Sequence, residues 1–145
     1  PAGPLFSYIN SDSWTDGPYA DGMVLVGDAA GWNDPIIGQG LSIAYRDVRI
    51  VTDILAATPA GAKPDFRSYA EERAERMRRL RFAANLTSVL DMEFGEAAAA
   101  RRLSYHERRI ADPALGMHGI VAMAGPENAP AEIFTEAHRA RVLQG

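Results

Sequence analysis

The residues best suited to chemistry in this chain of 145 residues lie in one short stretch. An apolar run from Met23 to Val26 ends in Gly27-Asp28, and glycines recur soon afterwards in Gly38-Gln39-Gly40. A carboxylate directly after a buried strand lies where open α/β sheets bind their ligands, and it accepts hydrogen bonds from a sugar or ribityl hydroxyl. Because glycine also lets a ligand approach the backbone closely, the pattern predicts a site for a small molecule.

A helix should begin directly after these glycines, because the apolar residues that follow recur at helical spacing. They are Leu41, Ala44, Tyr45, Val48, Val51 and Leu55. The first amides of a helix have no partner within it and carry partial positive charge, so the amides around Gly40 would stabilise negative charge on a bound ring or phosphate. Ala29-Ala30-Gly31 leaves room for such a ligand, and Pro35 stiffens the loop between the two glycine turns.

The complete pattern resembles the second flavin motif of the para-hydroxybenzoate hydroxylase family, whose members are FAD-dependent aromatic hydroxylases. The residues that carry the resemblance are Val24-Leu25-Val26-Gly27-Asp28-Ala29-Ala30, Pro35, Gly38-Gln39-Gly40-Leu41-Ser42 and Arg46-Asp47. A looser likeness extends towards the C-terminus, where Tyr69-Ala70-Glu71-Glu72-Arg73 is similar to segments of the family's long helices. The resemblance implies that this part of the chain binds FAD.

By this resemblance, the motif residues have expected places beside the flavin. Asp28 would hydrogen-bond the ribityl chain, Pro35 would lie near the reactive face of the ring, and the amides of the helix start would face its pyrimidine end. The complete predicted cofactor-binding set is Gly27, Asp28, Pro35, Gly38, Gln39, Gly40, Leu41 and Ser42. No catalytic side chain and no metal ligand is predicted.

The same resemblance implies an enzyme that takes hydride from NADH or NADPH, reacts with oxygen and hydroxylates a small organic substrate of aromatic type. Gly31 stands where the family often has histidine, and Ser42 where it often has asparagine. Because glycine at the first position also occurs in relatives, a flavin-dependent halogenase or reductase is an alternative. A different class is a stand-alone helical interaction module without catalysis, in which an arginine-rich helix would be the contact surface.

The sequence predicts a mainly α architecture with one or two β-strands, as the C-terminal fragment of an α/β FAD/NAD(P)-binding fold. The opening Pro1-Ala2-Gly3-Pro4 resembles no natural start, and the chain has no Gly-x-Gly-x-x-Gly loop for the FAD diphosphate. We therefore expect the N-terminal remainder of the same protein to be a partner of this chain. We also expect this chain alone to bind FAD weakly or not at all. Self-association is possible. The expected regions are 1–21 (end of the substrate-domain connection), 22–56 (last sheet strand, second flavin motif and following helix) and 57–145 (C-terminal helical region).

Local patterns predict the other elements. Residues 5–9 alternate as a short strand, and the continuous apolar run of residues 23–26 indicates a parallel strand covered on both faces. Asp65 is expected to cap a second helix. Three further helices are expected over Glu96–Ile110, from Pro113 to about Met123, and after Pro130.

The second helix has a strongly charged face, which we interpret as a solvated surface, with binding of a phosphate or an acidic partner as the alternative. Its residues are Glu71, Glu72, Arg73, Glu75, Arg76, Arg78, Arg79 and Arg81. Tyr45 and Tyr69 fall on apolar stripes, so both are expected in the core rather than in catalysis. Trp14 is expected to pack a loop against the body rather than to contact a ligand.

Composition excludes several classes of site. With no cysteine, the chain has no disulfide, thiolate nucleophile or cysteine-rich zinc site. A net charge of -4 argues against a general nucleic-acid binder. No apolar run approaches the roughly 20 residues of a membrane span, and no signal segment opens the chain, so we expect a cytoplasmic protein without membrane contact. His106, His118 and His138 lack ligand spacing with each other and with carboxylates.

Overall fold

The computed structural model describes residues 3–4 and 11–144, and within them the protein is mostly helical with two short antiparallel strand pairs. The helices are α1 (Gly40–Ala57), α2 (Arg67–Asp91), α3 (Glu96–Ala111), α4 (Ile120–Ala124) and α5 (Glu136–Leu143). The strands are β1 (Ser13–Trp14), β2 (Tyr19–Ala20), β3 (Met23–Val24) and β4 (Gly31–Trp32). The prediction of a mainly α fold with few strands is confirmed. The strand expected at residues 5–9 lies outside the described residues.

The interpretation of residues 23–26 as a parallel strand covered on both faces is wrong. β3 is limited to Met23–Val24 and pairs antiparallel with β2, and the Met23 side chain is 54% exposed. The reason is the dipeptide Asp21-Gly22, which is typical of tight hairpins, with Gly22 at a φ of 77°. The pairing partner of this strand therefore lies within the chain itself.

The starts of α1 and α3 follow local signals, whereas the helices expected from Pro113 and after Pro130 begin as 3-10 segments and become α-helical only at Ile120 and Glu136. α1 begins at Gly40 as predicted, and α3 begins directly after Gly95. The amide of Arg67, the first residue of α2, donates to Asp65 Oδ1 at 3.1 Å, so Asp65 satisfies one of the unpaired amides at the start of the helix. In the described part of the chain, five 3-10 segments connect the longer elements: Gly27–Ala30, Pro35–Ile37, Pro113–Gly119, Pro126–Asn128 and Ala131–Phe134.

α1 has two apolar faces, and only one of them is buried. Ile43, Asp47 and Val51, each four residues apart, face the body of the protein. Tyr45 lies on the other face and is 68% exposed, so its expected place in the core is wrong, whereas Tyr69 of α2 is fully buried as predicted. Because apolar residues recur on both faces of α1, the sequence did not show which face of this helix is buried.

α2 is the central element, because it contributes to every buried cluster of the described residues. Near β3 it adds Tyr69 to Val51 and Phe66. Its middle adds Met77 and Leu80 to the largest cluster. Its last turns belong to a group that we call the distal cluster, which contains Leu86, Leu90, Tyr105, Leu115 and Val142. None of the helices in the described part of the chain is long and apolar enough to cross a membrane.

Candidate functional site

The predicted glycine-rich segments border a common cleft of about 450 Å³, which we call the motif cleft. It lies between the 3-10 turn Gly27–Ala30 and the start of α1. Its wall is formed by Asp28, Gly31, Trp32, Asn33, Asp34, Pro35, Gln39, Gly40 and Ile43. The fold therefore brings both halves of the sequence pattern to one concave surface.

Asp28 is one of the residues that line the motif cleft. The residue is exposed, and no hydrogen bond or ion pair joins its side chain to another described residue. It sits inside a single turn of 3-10 helix, which follows the strand as the sequence pattern requires. The oxygens are thus available to accept hydrogen bonds from hydroxyl groups of a ligand.

The start of α1 presents unpaired amides beside the same cleft. The first helical hydrogen bond runs from the Ile43 amide to the Gln39 carbonyl at 2.9 Å, so the amides of Gly40, Leu41 and Ser42 precede it. Helix-start amides carry partial positive charge and attract anionic groups. The Gln39 side-chain amide is engaged within the protein: its Nε2 donates to the Ala122 carbonyl at 2.5 Å and links the start of α1 to α4.

The loop between the two halves is also fixed by hydrogen bonds. Pro35 occupies the first position of its 3-10 turn, and the Asp34 carboxylate accepts the Ile36 amide at 2.9 Å. The Gly38 amide donates to the Pro35 carbonyl at 2.7 Å. Pro35 therefore lines the motif cleft on a turn whose geometry does not depend on a ligand.

A fully buried carboxylate, Asp47 of α1, lies behind the motif cleft. Its Oδ2 accepts the Gly27 amide at 2.8 Å and Arg73 Nε at 2.9 Å, and its Oδ1 accepts Arg76 Nη2 at 2.5 Å. Burial disfavours an unpaired charge strongly, and these three donors satisfy the carboxylate. We call Asp47, Arg73 and Arg76 the Asp47 network.

Arg73 extends this network to the turn that carries Asp28. Its Nη2 donates to the carbonyls of Gly27 at 3.0 Å and Gly31 at 3.2 Å, and its Nη1 donates to the Ala30 carbonyl at 3.2 Å. Both ends of the turn are therefore held by one guanidinium group. The consequence is that the position of Asp28 is set by buried charges rather than by contacts of its own.

The interpretation of the charged face of α2 as a solvated surface is wrong for Arg73 and Arg76, which are only 3% and 6% exposed. Both lie on the buried side of α2 because Asp47 faces them from α1. Burial lowers the pKa of Arg76, but hydrogen bonds to Glu72 and Asp47 outweigh it and raise the pKa. The sequence did contain a signal, since a charged Asp47 on the same face as Ile43 and Val51 requires a buried cation.

Tyr69 adds a neutral anchor to the same region. Its hydroxyl donates to the Leu25 carbonyl at 2.7 Å. Burial, with a smaller contribution from the nearby Asp47 carboxylate, raises the pKa of Tyr69 to about 12. The phenol is therefore protonated at neutral pH and acts as a hydrogen-bond donor, which agrees with a structural role.

Close packing, rather than a ligand, occupies the space beside two motif glycines. A Cβ at Gly27 would lie 3.2 Å from the Ala44 Cβ of α1. A Cβ at Gly31, where φ is 123°, would lie 2.5 Å from the Trp14 Cα of β1. Trp14 in turn packs beneath the Arg81 guanidinium, 4.0 Å from its ring centre. These glycines allow the turn to sit tightly between α1 and β1.

The predicted site residues thus fall into three groups. Asp28, Pro35, Gln39 and Gly40 line the motif cleft. Gly38, Leu41 and Ser42 lie at or next to the start of α1 without lining that cleft, and Gly27 is buried behind it with its amide and carbonyl engaged by the Asp47 network. Sequence reasoning did not identify Arg73 and Arg76 as the residues that position the site.

The histidines lie far along the chain from the motif, and two of them meet in the structure. The His118 and His138 rings are 6.0 Å apart between centroids. Burial, followed by the proximity of His138, lowers the pKa of His118 to about 4. No group of three or more histidine, aspartate or glutamate side chains in the described ranges is arranged to hold a metal ion.

Comparison with known proteins adds one partial similarity. No family model matches the chain, and no solved structure matches it at a significant level. Kynurenine 3-monooxygenase from Salinispora tropica is 41% identical over 59 residues. The match covers 41% of this chain and 12% of that protein, so the chain spans only a small part of the relative. Part of this chain is therefore similar to a monooxygenase.

Proposed function

We propose that the chain is the C-terminal portion of an FAD-dependent monooxygenase and holds the ribityl chain and the electron-rich edge of the flavin. The observation that carries this proposal is the shared cleft: Asp28, whose carboxylate has no partner among the described residues, and Gly40 at the start of α1 line the same space of about 450 Å³. The partial likeness to kynurenine 3-monooxygenase supports an oxidoreductase of this type. The complete enzyme would use NADH or NADPH and oxygen to hydroxylate a small aromatic substrate.

The residues present fit the chemistry of the proposed cofactor. A volume of this size lies within the usual range of about 300–1,000 Å³ for ligand sites. Asp28 supplies acceptors for hydroxyl groups, and the amide of Gly40 at the start of α1 supplies a donor for a ring edge that becomes negatively charged. FAD, when bound, supplies the redox chemistry, and the protein positions it and tunes its electronics.

The buried charges give these groups a fixed geometry. Asp47 and Arg73 hold the turn around Asp28 in place without a ligand, and the Gln39–Ala122 hydrogen bond fixes the first turn of α1. Sites that need no rearrangement on binding lose less free energy to ordering. The chain therefore contributes a preformed half-site, and the FAD diphosphate and the substrate would be bound by other parts of the longer protein.

A stand-alone interaction module receives less support. That alternative depended on an exposed arginine-rich face of α2, but Arg73 and Arg76 are buried, and Arg78 and Arg79 pair with Glu75. A related halogenase or reductase is the alternative within the same class, because the motif cleft would hold the flavin in the same way in each of these enzymes.

Riboflavin binding by the labelled chain tests the proposal. We expect riboflavin, which carries no phosphate, to shift the backbone amide signals of Asp28 and Gly40 in a weak titration followed by NMR up to the solubility limit of the ligand. Asp28→Asn should weaken the binding about threefold to tenfold, because a charge-assisted hydrogen bond is lost. Asp53→Asn, an exposed change on α1, is the matched control and should bind like the parent. Equal binding by both variants, or shifts confined to other regions, would contradict the proposal.

A further inference from the structure

A second concave surface lies on the other side of the first turn of α1, where α1 and α2 face the segment Met123–Glu127. Its volume is about 430 Å³, and we call it the arginine cleft because Arg46, Arg49 and Arg76 line it. It shares Gln39 and Ile43 with the motif cleft but does not include Asp28. The proposed function makes no use of it.

Two guanidinium groups at this cleft have buried donors without partners among the residues that the structure describes. The Arg76 side chain is 5% exposed, and its Nη1 has no hydrogen-bond partner within the described ranges, although its Nε and Nη2 are engaged by Glu72 and Asp47. Arg46 donates through Nη1 to Glu127 and forms an ion pair through Nη2 with Glu72 at 2.8 Å, while its buried Nε has no described partner. Buried donors are rarely left unpaired in proteins, so each one requires an explanation.

The charges around the cleft do not balance. Three arginines line the cleft, namely Arg46, Arg49 and Arg76, and Arg73 lies next to them on the buried Asp47. They face three carboxylates, namely Asp47, Glu72 and Glu127. Arg49 is the surplus cation: it is exposed, lines the cleft and forms no hydrogen bond or ion pair with a described residue. A surplus positive charge at a concave surface attracts an anion.

We propose that the arginine cleft binds an organic oxyanion, through a carboxylate or a phosphate group, with Arg49 and Arg76 as its principal donors. Planar guanidinium groups match the two oxygens of such anions, and Ser42 and Tyr45, which also line the cleft, carry hydroxyls that can donate further hydrogen bonds. Leu80 and Met123 line the same space and provide apolar surface for the rest of the ligand. The inference stands on this cleft alone and does not require flavin binding.

Titration of the isotopically labelled 145-residue chain tests this site. Sodium benzoate and sodium phosphate are the two probes, each added at constant ionic strength against sodium chloride, with the arginine Nε–H and backbone amide signals followed by NMR. Saturable shifts at Arg49 and Arg76 with benzoate identify a carboxylate ligand, and the same shifts with phosphate identify a phosphate ligand. The absence of saturation with both probes would overturn the inference.

Two pairs of variants separate a specific site from general charge effects. Arg49→Gln should weaken binding of the saturating probe about threefold to tenfold, whereas Arg78→Gln, an exposed change elsewhere on α2, should leave it unchanged. Glu127→Gln removes a carboxylate that competes for Arg46, so binding should tighten about twofold or more, and Glu132→Gln should have no effect. Binding by Arg49→Gln equal to that of the parent would refute the site, whereas Asp28→Asn should leave oxyanion binding intact even where flavin binding fails.

Discussion

The two ends of α2 stabilise their surroundings by different physical means. At its N-terminal half, Arg73 and Arg76 bind the buried Asp47 and the carbonyls of the turn that carries Asp28. At its C-terminal half, the distal cluster is apolar. Hydrogen bonds to charged groups have narrow ranges of distance and angle, whereas apolar packing depends mainly on volume. The difference indicates that the chain fixes its geometry most tightly where the proposed ligand site lies.

The largest effect is expected from Asp47→Ala, which tests the polar half of the comparison. The change leaves two buried guanidinium groups without their carboxylate, so the free energy of unfolding should fall by about 3–5 kcal/mol in chemical denaturation. The exposed Asp53→Ala on the same helix should change it by less than about 0.5 kcal/mol. A loss of under about 1 kcal/mol for Asp47→Ala would show that the network is not important for stability.

Leu86→Ala tests the apolar half and has the next largest expected effect. Leu86 is fully buried in the distal cluster, so its truncation should lower the free energy of unfolding by about 3 kcal/mol. The informative contrast is local: NMR amide signals of residues 27–31 should stay in place in Leu86→Ala but move in Asp47→Ala. If both variants shifted those signals equally, the two halves of α2 would not be independent.

The third expected effect is a dependence of stability on pH at the distal end. The pKa of His118 is lowered to about 4, so between about pH 6.5 and pH 4 the unfolded chain binds more protons than the folded one. The contribution of the His118 imidazole to the free energy of unfolding is therefore fully present above pH 6.5, and it decreases by about 2–3 kcal/mol as the pH falls to 4.

Replacement of His118 by glutamine, which does not titrate, should flatten that part of the profile measured by thermal or chemical denaturation. The His138 pKa is also lowered by burial, so a smaller slope should persist. His106→Gln, at an exposed position, should leave the profile as it is. An unchanged slope in His118→Gln would contradict burial of this ring in neutral form.

The sequence predicted those features that depend on residues close together in the chain. Gly40 marked the start of α1, and Gly95 marked the break before α3. Asp28 and Gly40 were expected to border one site, and the fold brings both to the motif cleft. The assignment of cofactor-binding roles to these residues stays a prediction.

Features that depend on distant parts of the chain were not predicted. A run of charges on α2 looks the same whether it faces solvent or a partner helix, so the burial of Arg73 and Arg76 required the position of Asp47, 26 and 29 residues away. The exposure of Tyr45 on the outer face of α1 was not predicted either, because both faces of this helix carry apolar residues and only the position of the other elements decides which face is buried. The hairpin at Asp21-Gly22 did carry a local signal, which the continuous apolar run obscured.

The central claim, that Asp28 holds the ribityl chain beside the start of α1, is tested most directly by two ligands that differ in that chain. Lumiflavin has the flavin ring with a methyl group in place of the ribityl chain of riboflavin. We predict that Asp28→Ala weakens riboflavin binding about threefold to tenfold in NMR titrations and leaves lumiflavin binding unchanged. An equal effect on both ligands, or no effect on either, would contradict the account.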